Sequence, residues 1–168
     1  MITLVTGGQR SGKSMFAERY ALSRSANPVY LATARIYDED FKERVRIHQN
    51  RRGPEWDVVE LPVNVGSARL KEGATVLLDC LTMLATNWFF ESDEEVDPAL
   101  ANIEEDLTKL FAQSADFIVV TNEIGLGGIS GNELQRKFAD LQGKINQWVA
   151  AAADEVYFIV SGIPMKIK

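Results

Sequence analysis

The residues best equipped for chemistry stand near the start of the chain. Gly7-Gly8-Gln9-Arg10-Ser11-Gly12-Lys13-Ser14 fits the spacing G-x-x-x-x-G-K-[ST] at every position. Glycines let the backbone curl so that successive N–H groups point inward at phosphate oxygens. A helix that follows adds its positive N-terminal end to the same spot. In that arrangement Lys13 reaches the β- and γ-phosphates and the Ser14 hydroxyl ligates Mg²⁺. The motif therefore predicts binding of a purine nucleoside triphosphate with magnesium, and transfer of one of its phosphate-bearing groups. A chance match in 168 residues is expected at on the order of one per cent from average residue usage. The apolar strand before it and the helical stretch after it argue further against accident.

Asp79 closes the apolar run Val76-Leu77-Leu78. An acid at the carboxyl end of a buried strand is where such proteins hold their magnesium, directly or through water. Aspartate also caps helices well, and a helical stretch starts near Leu81. Beside the glycine-rich loop, magnesium binding is the stronger reading.

His48 is the only histidine. It lies in Lys42–Arg52, a segment with five of the eighteen basic residues and one acid, net +4 within a protein of formal charge −6. Such a local reversal of charge suits a triphosphate site. Phe41, Val45 and His48 fall four and three residues apart, on one helical face, and Gly53-Pro54 ends that helix. An imidazole here could be a surface residue, a general acid/base or a nucleophile towards phosphorus, since its phosphoramidate transfers readily. Spacing does not choose among the three.

The elements that must position these groups alternate along the chain. Strands are predicted at Ile2–Thr6, Val29–Ala32, Asp57–Leu61, Thr75–Asp79, Phe117–Thr121 and Val156–Ser161. Several are apolar throughout, as strands covered on both faces are. Helices are predicted at about Lys13–Ser23, Glu39–Asn50, Leu81–Phe90, Pro98–Gln113 and Asn132–Ala153. In the fourth, Leu100, Ile103, Leu107, Leu110 and Phe111 make one apolar stripe, with Asp97 as cap and Pro98 at the first helical position. Glu91–Glu95 is read as a solvated loop. The alternation implies a single α/β domain over residues 1–168, a mostly parallel sheet with right-handed crossovers. Thr33-Ala34 and Asn122-Glu123 follow strands, so they fall at the carboxyl edge where open sheets bind ligands. Thr33 could instead cap a turn, and Glu123 could pair with a surface base.

Bulk properties exclude other classes. Hydrophobic residues make up 46% and charged residues 25%, as in a globular protein, and the negative charge argues against a nucleic-acid partner. A single cysteine, Cys80, permits no internal disulfide and reads as a packed thiol. No apolar run approaches a membrane span and no leader precedes Ile2-Thr3-Leu4-Val5, so a cytoplasmic protein is expected.

Several segments together resemble a known family. GGQRSGKS at 7–14, RVRIHQNRR at 44–52 followed by Trp56, LLDCLTMLATN at 77–87, VTNEIGLG at 120–127 and NQWVAAAADEVYFIVSGIPMKIK at 146–168 are similar to the bifunctional adenosylcobinamide kinase / adenosylcobinamide-phosphate guanylyltransferases of cobalamin biosynthesis. The resemblance spans essentially the whole chain. It implies a RecA-like P-loop core, a homotrimer and two reactions. A nucleoside triphosphate (GTP or ATP) phosphorylates adenosylcobinamide; GTP then gives GMP to a histidine, here His48, which passes it to adenosylcobinamide phosphate. It further implies nucleotide contacts from Gly7 to Ser14, from Ala32, Thr33 and Ala34, from Gln49, Asn50, Arg51 and Arg52, and from Glu60 and Asp79. Two segments depart from the family pattern: Gly128-Ile129-Ser130-Gly131 stands where G-I-V-P is usual, and Ala139 takes the place of the second arginine of R-x-F-R-D. Both bear on corrinoid or subunit contacts more than on nucleotide chemistry. Two other readings share the loop: a P-loop kinase of another small hydroxylated metabolite, without guanylyl transfer, and a nucleotide-dependent switch. The N-K-x-D guanine-reading motif of the latter is absent.

Overall fold

The computed structural model describes residues 1–35 and 53–168. The predicted helix Glu39–Asn50, with its face of Phe41, Val45 and His48, lies outside them.

The described strands are β1 (Ile2–Gly7), β2 (Val29–Ala32), β3 (Asp57–Glu60), β4 (Ala74–Asp79), β5 (Ala115–Val120), β6 (Glu155–Val160) and β7 (Ile163–Lys166). They form one sheet in the order β3-β2-β4-β5-β1-β6-β7. All neighbours run parallel except β6 and β7. The described helices are α1 (Lys13–Arg24), α2 (Leu81–Glu91), α3 (Val96–Phe111) and α4 (Glu133–Ala152). The result is a single α/β domain, as the alternation predicts.

Strand side chains alternate between faces, and each face is covered. Leu4, Val76, Leu78, Phe117 and Val119 join α2, α3 and α4 in one core through Leu84, Ile103, Leu107 and Ile145. Val5, Tyr30, Leu77, Ile118 and Val120 join Ala17 and Ala21 of α1 and Trp56 in the other. This two-sided cover is why β4 and β5 lack a polar alternation. Each fully buried Leu or Phe contributes about 1.5–3 kcal/mol. One buried acid ties elements within the first of these layers: Asp106 of α3 accepts from the backbone N–H groups of Val65 and Gly66 and from Trp88 Nε1 of α2.

Two expectations are corrected. Helix α3 starts at Val96 after Glu95, not at Pro98 after Asp97. The first three helical N–H groups need no intrahelical partner, so Pro98 is tolerated within the first turn. Asp97 points outward and pairs with Lys144 at 3.2 Å. The sequence also gave no sign of β7, because Pro164 interrupts a short apolar run. Pro164 is tolerated because β7 is an edge strand. Ser161, assigned above to a strand, forms with Gly162 a two-residue hairpin turn in which both φ angles are positive (50° and 82°).

Candidate functional site

Strand register assembles the site. Ala32 lies opposite Glu60 on one side and Asp79 on the other, and Asp79 lies opposite Val120. Glu60, Ala32 and Asp79 therefore form a row at the carboxyl edge of the sheet. Beside this row β1 ends at Gly7 and opens into the glycine-rich loop. The loop and the Asp79 edge are thus brought together, as parallel α/β topology requires.

The loop is held from behind by the C-terminal hairpin. Gly162 N–H donates to the Ser11 carbonyl at 2.8 Å, and a Cβ on Gly12 would stand 3.2 Å from Gly162 Cα. Gly7 is still more confined. Its φ is +153°, and a Cβ there would lie 2.5 Å from the Ile159 carbonyl oxygen and 2.9 Å from Ser11 Oγ. A Cβ on Gly8 would meet nothing within 4 Å. Gly7→Ala should therefore weaken nucleotide binding about 10- to 100-fold, the equivalent of a 1–3 kcal/mol overpacking cost. Gly8→Ala should leave thermal stability unchanged. Titration calorimetry with GTP and thermal melts check the pair; equal behaviour of the two variants would contradict the steric account.

Helix α1 begins at Lys13 after Gly12, whose φ of 99° suits glycine, and no side chain caps it. Its first N–H groups are thus left for an anion. Lys13 is buried, and its Nζ donates to the Gly8 carbonyl at 2.6 Å. Burial pulls its pKa below the ordinary lysine value; Cys80, when ionised, and Asp79 oppose this. Arg10, also in the loop, adopts a left-handed φ of 59° and is exposed.

The Asp79 carboxylate accepts from Tyr30 OH at 2.7 Å, and Tyr30 in turn packs edge-on against Trp56. Sequence reasoning missed Tyr30. It pairs with Leu77, two residues before Asp79 on the same strand face, a relation visible only once the β2–β4 register is known. Asp79 does not cap α2; Cys80 holds the N-cap position. Burial pushes the Cys80 thiol up to about 12, so it stays protonated near neutral pH, consistent with a packed thiol.

Thr33 is fully buried. Its hydroxyl donates to the Cys80 carbonyl at 2.7 Å and accepts from the Cys80 N–H at 2.9 Å. The side chain thus clips β2 to the turn after Asp79. Asn87 Nδ2, buried on α2, donates to the carbonyls of Thr33 and Pro62. Ala34 follows at the same edge, and Glu60 is exposed.

The segment after β5 is fixed from both sides. Glu123 N–H donates to the Gly7 carbonyl at 3.0 Å, and Asn122 N–H donates to Thr82 Oγ1 at 2.9 Å. Beneath them, Thr121 OH donates to Asn146 Oδ1, Gln142 Nε2 donates to both, and Asn146 Nδ2 donates to the Asn122 carbonyl. This network was also missed. Its signal is a pair of amides four residues apart, at 142 and 146, among the core positions 141, 145 and 149. Glu123 Oε1 accepts from the Gly125 N–H, so the acid is turned along its own loop.

His48, Gln49, Asn50, Arg51 and Arg52 lie outside the described residues. Magnesium was expected at Ser14 and Asp79. Those two groups offer hard oxygen donors, and the Asp79 carboxylate is oriented by Tyr30. Mg²⁺ keeps few protein ligands and completes its shell with water and phosphate, so this donor set fits it. Among the described residues no cluster of three or more His, Cys, Asp or Glu forms an all-protein metal cage, and no helix is long and apolar enough to cross a membrane.

Comparison with known proteins bears on the same residues. Residues 3–167 match the family described as cobinamide kinase / cobinamide phosphate guanyltransferase. The chain is 37% identical to the bifunctional adenosylcobalamin biosynthesis protein CobU of Salmonella typhimurium, with all of both chains covered. It is 35% identical to the corresponding protein CobP of Pseudomonas aeruginosa, covering 100% of this chain and 98% of that one. Among solved structures, a prototypical ATPase from the type III secretion system of pathogenic bacteria superposes on 94% of this chain and 50% of its own, with a TM-score of 0.53 and 12% identity. That likeness shows a shared P-loop ATPase fold.

Proposed function

Because the chain belongs to the cobinamide kinase / cobinamide phosphate guanyltransferase family, we propose that one nucleotide site serves both reactions, with His48 carrying GMP to the phosphorylated corrinoid. The chain is a P-loop transferase of cobalamin biosynthesis. The supporting observation is the glycine loop at the end of β1, set beside the edge row Glu60, Ala32 and Asp79.

In the kinase step, the hydroxyl of the aminopropanol arm of adenosylcobinamide attacks the γ-phosphorus of GTP or ATP. The new O–P bond forms as the bond to the nucleoside diphosphate breaks, and a carboxylate at the sheet edge, Asp79 or Glu123, orients the hydroxyl and takes its proton. Only positioning and charge stabilisation are needed. In the second reaction an imidazole nitrogen of His48 attacks the α-phosphorus of GTP and pyrophosphate leaves. The phosphate of adenosylcobinamide phosphate then displaces the histidine, giving adenosylcobinamide-GDP. Backbone amides of the loop and Lys13 meet the charge that develops on the transferring group, assisted by Arg44, Arg46, Arg51 and Arg52. Ser14 and Asp79 would hold Mg²⁺, which would supply further charge neutralisation at the phosphates. Ala32 and Ala34, Gln49 to Arg52 and Glu60 complete the nucleotide contacts; Thr33 supports them from beneath, since it is fully buried with its hydroxyl committed to Cys80 and its carbonyl to Asn87. The assembly is a homotrimer, working in the cytoplasm where nucleoside triphosphates are supplied.

The test uses purified protein, Mg²⁺ and GTP labelled at either the α- or the γ-phosphorus. The expected result is an acid-labile, base-stable GMP adduct on the intact protein, seen by mass, together with γ-label on the corrinoid. Protein that binds GTP and passes γ-label but never forms the adduct would be a kinase alone.

A further inference from the structure

We propose that the groove between α2, residues 124–130 and the first turns of α4 receives the corrinoid ring of the acceptor substrate, whose hydroxyl-bearing arm passes Glu123 to reach the phosphate loop. The inference rests on the kinase reading above and names where its acceptor sits.

The groove encloses about 740 Å³, within the range of small-molecule sites. Its walls include Phe89, Phe90, Ile124, Ile129, Leu134 and Phe138. Phe90 is 49% and Ile129 93% exposed, so apolar surface faces solvent here. Gln135, Arg136 and Asp140 also line it. A nucleotide, polar and multiply charged, is a poor match for such walls. A corrinoid is a good one: its broad, methyl-fringed macrocycle needs apolar contact, and its carboxamide arms need a few donors and acceptors at the rim.

Position selects this occupant as well. Glu123 is hydrogen-bonded to Gly7 at the phosphate loop, and the next residues, Ile124 and Gly125, already line the groove. One Cα step of about 3.8 Å thus separates the residue touching the loop from the groove wall. On the other side Thr82 holds Asn122, and Thr86, one helical turn further along α2, lines the groove. The wall nearest the loop is also anchored by the buried Thr121–Gln142–Asn146 network. An acceptor held here lies beside the loop without occupying it, as group transfer between two bound substrates requires.

Ile129→Asp and, independently, Phe90→Ala test the assignment; both side chains are exposed enough to change without loss of the fold. Adenosylcobinamide binding is measured by titration, GTP binding by calorimetry, and particle mass by light scattering. Each variant should raise the corrinoid Kd about tenfold or more, with GTP affinity and the corrinoid-independent GMP adduct within about twofold of the parent. Unchanged corrinoid affinity in both variants overturns the proposal; if particle mass then falls, the face belongs to a second copy of this chain. Failure of the parent protein to form the GMP adduct would sink the His48 reading and leave this binding measurement standing.

Discussion

His48→Ala should lose guanylyl transfer by about a thousandfold or more, while phosphorylation of adenosylcobinamide stays within about threefold of the parent. The asymmetry follows from bonding. A covalent carrier cannot be replaced by neighbouring charges, because in the proposed reaction the phosphoramidate bond is the intermediate itself. The kinase step makes no bond to the protein and needs only an aligned hydroxyl and a neutralised triphosphate. The measurement is the pair of initial rates, with the GMP adduct read by mass in the same samples. A folded variant that loses both activities equally would mean that His48 supports the site as a whole and is no dedicated nucleophile.

Lys13→Ala should do the opposite and depress both reactions together, by about 10²–10³ in kcat, or roughly 2.7–4 kcal/mol of transition-state stabilisation. Both reactions place developing charge on phosphate oxygens over the same loop, and Lys13 is the buried cation there. Lys13→Arg should not rescue, because a planar guanidinium cannot replace a compact ammonium donating to Gly8 in a buried space. Stability should move the other way from activity. Burial lowers the Lys13 pKa, so the folded state holds this proton less well than the unfolded chain does. The group therefore costs stability below the unfolded value; the cost grows as pH falls from the unfolded to the folded pKa and is constant below that, once folded Lys13 also holds its proton. Removing it should leave the melting temperature unchanged or higher at pH 7. A clear drop would show that the bond to Gly8 matters more to the fold than desolvation does.

The phosphate loop was legible in the sequence because its chemistry is local. Eight consecutive residues carry the glycines, the lysine and the hydroxyl, and the strand before and helix after them are patterned by the same stretch. Asp79 was legible for a related reason, since an acid ending an all-apolar run is visible without knowing what the run pairs with. The first turn of α3 was misplaced because no side chain caps it: Glu95 and Asp97 turn outward to Lys137 and Lys144, partners more than forty residues away. The seventh strand was hidden by Pro164, which an edge position tolerates and an interior one would not.

The sequence by itself determined the nucleotide cradle, the α/β alternation and, through resemblance over its whole length, the family. Each of these is encoded in short contiguous segments, where residue type and spacing act through the local backbone. Only the tertiary structure decided what surrounds the cradle. It set Tyr30 on Asp79, Gly162 behind Ser11, Thr33 on Cys80 and the amides of α4 beneath Asn122. The residues in each of these contacts are distant in sequence and meet because strand register and helix packing bring them together. Register is fixed by the burial of two whole sheet faces, a property of the assembled domain that no single segment contains.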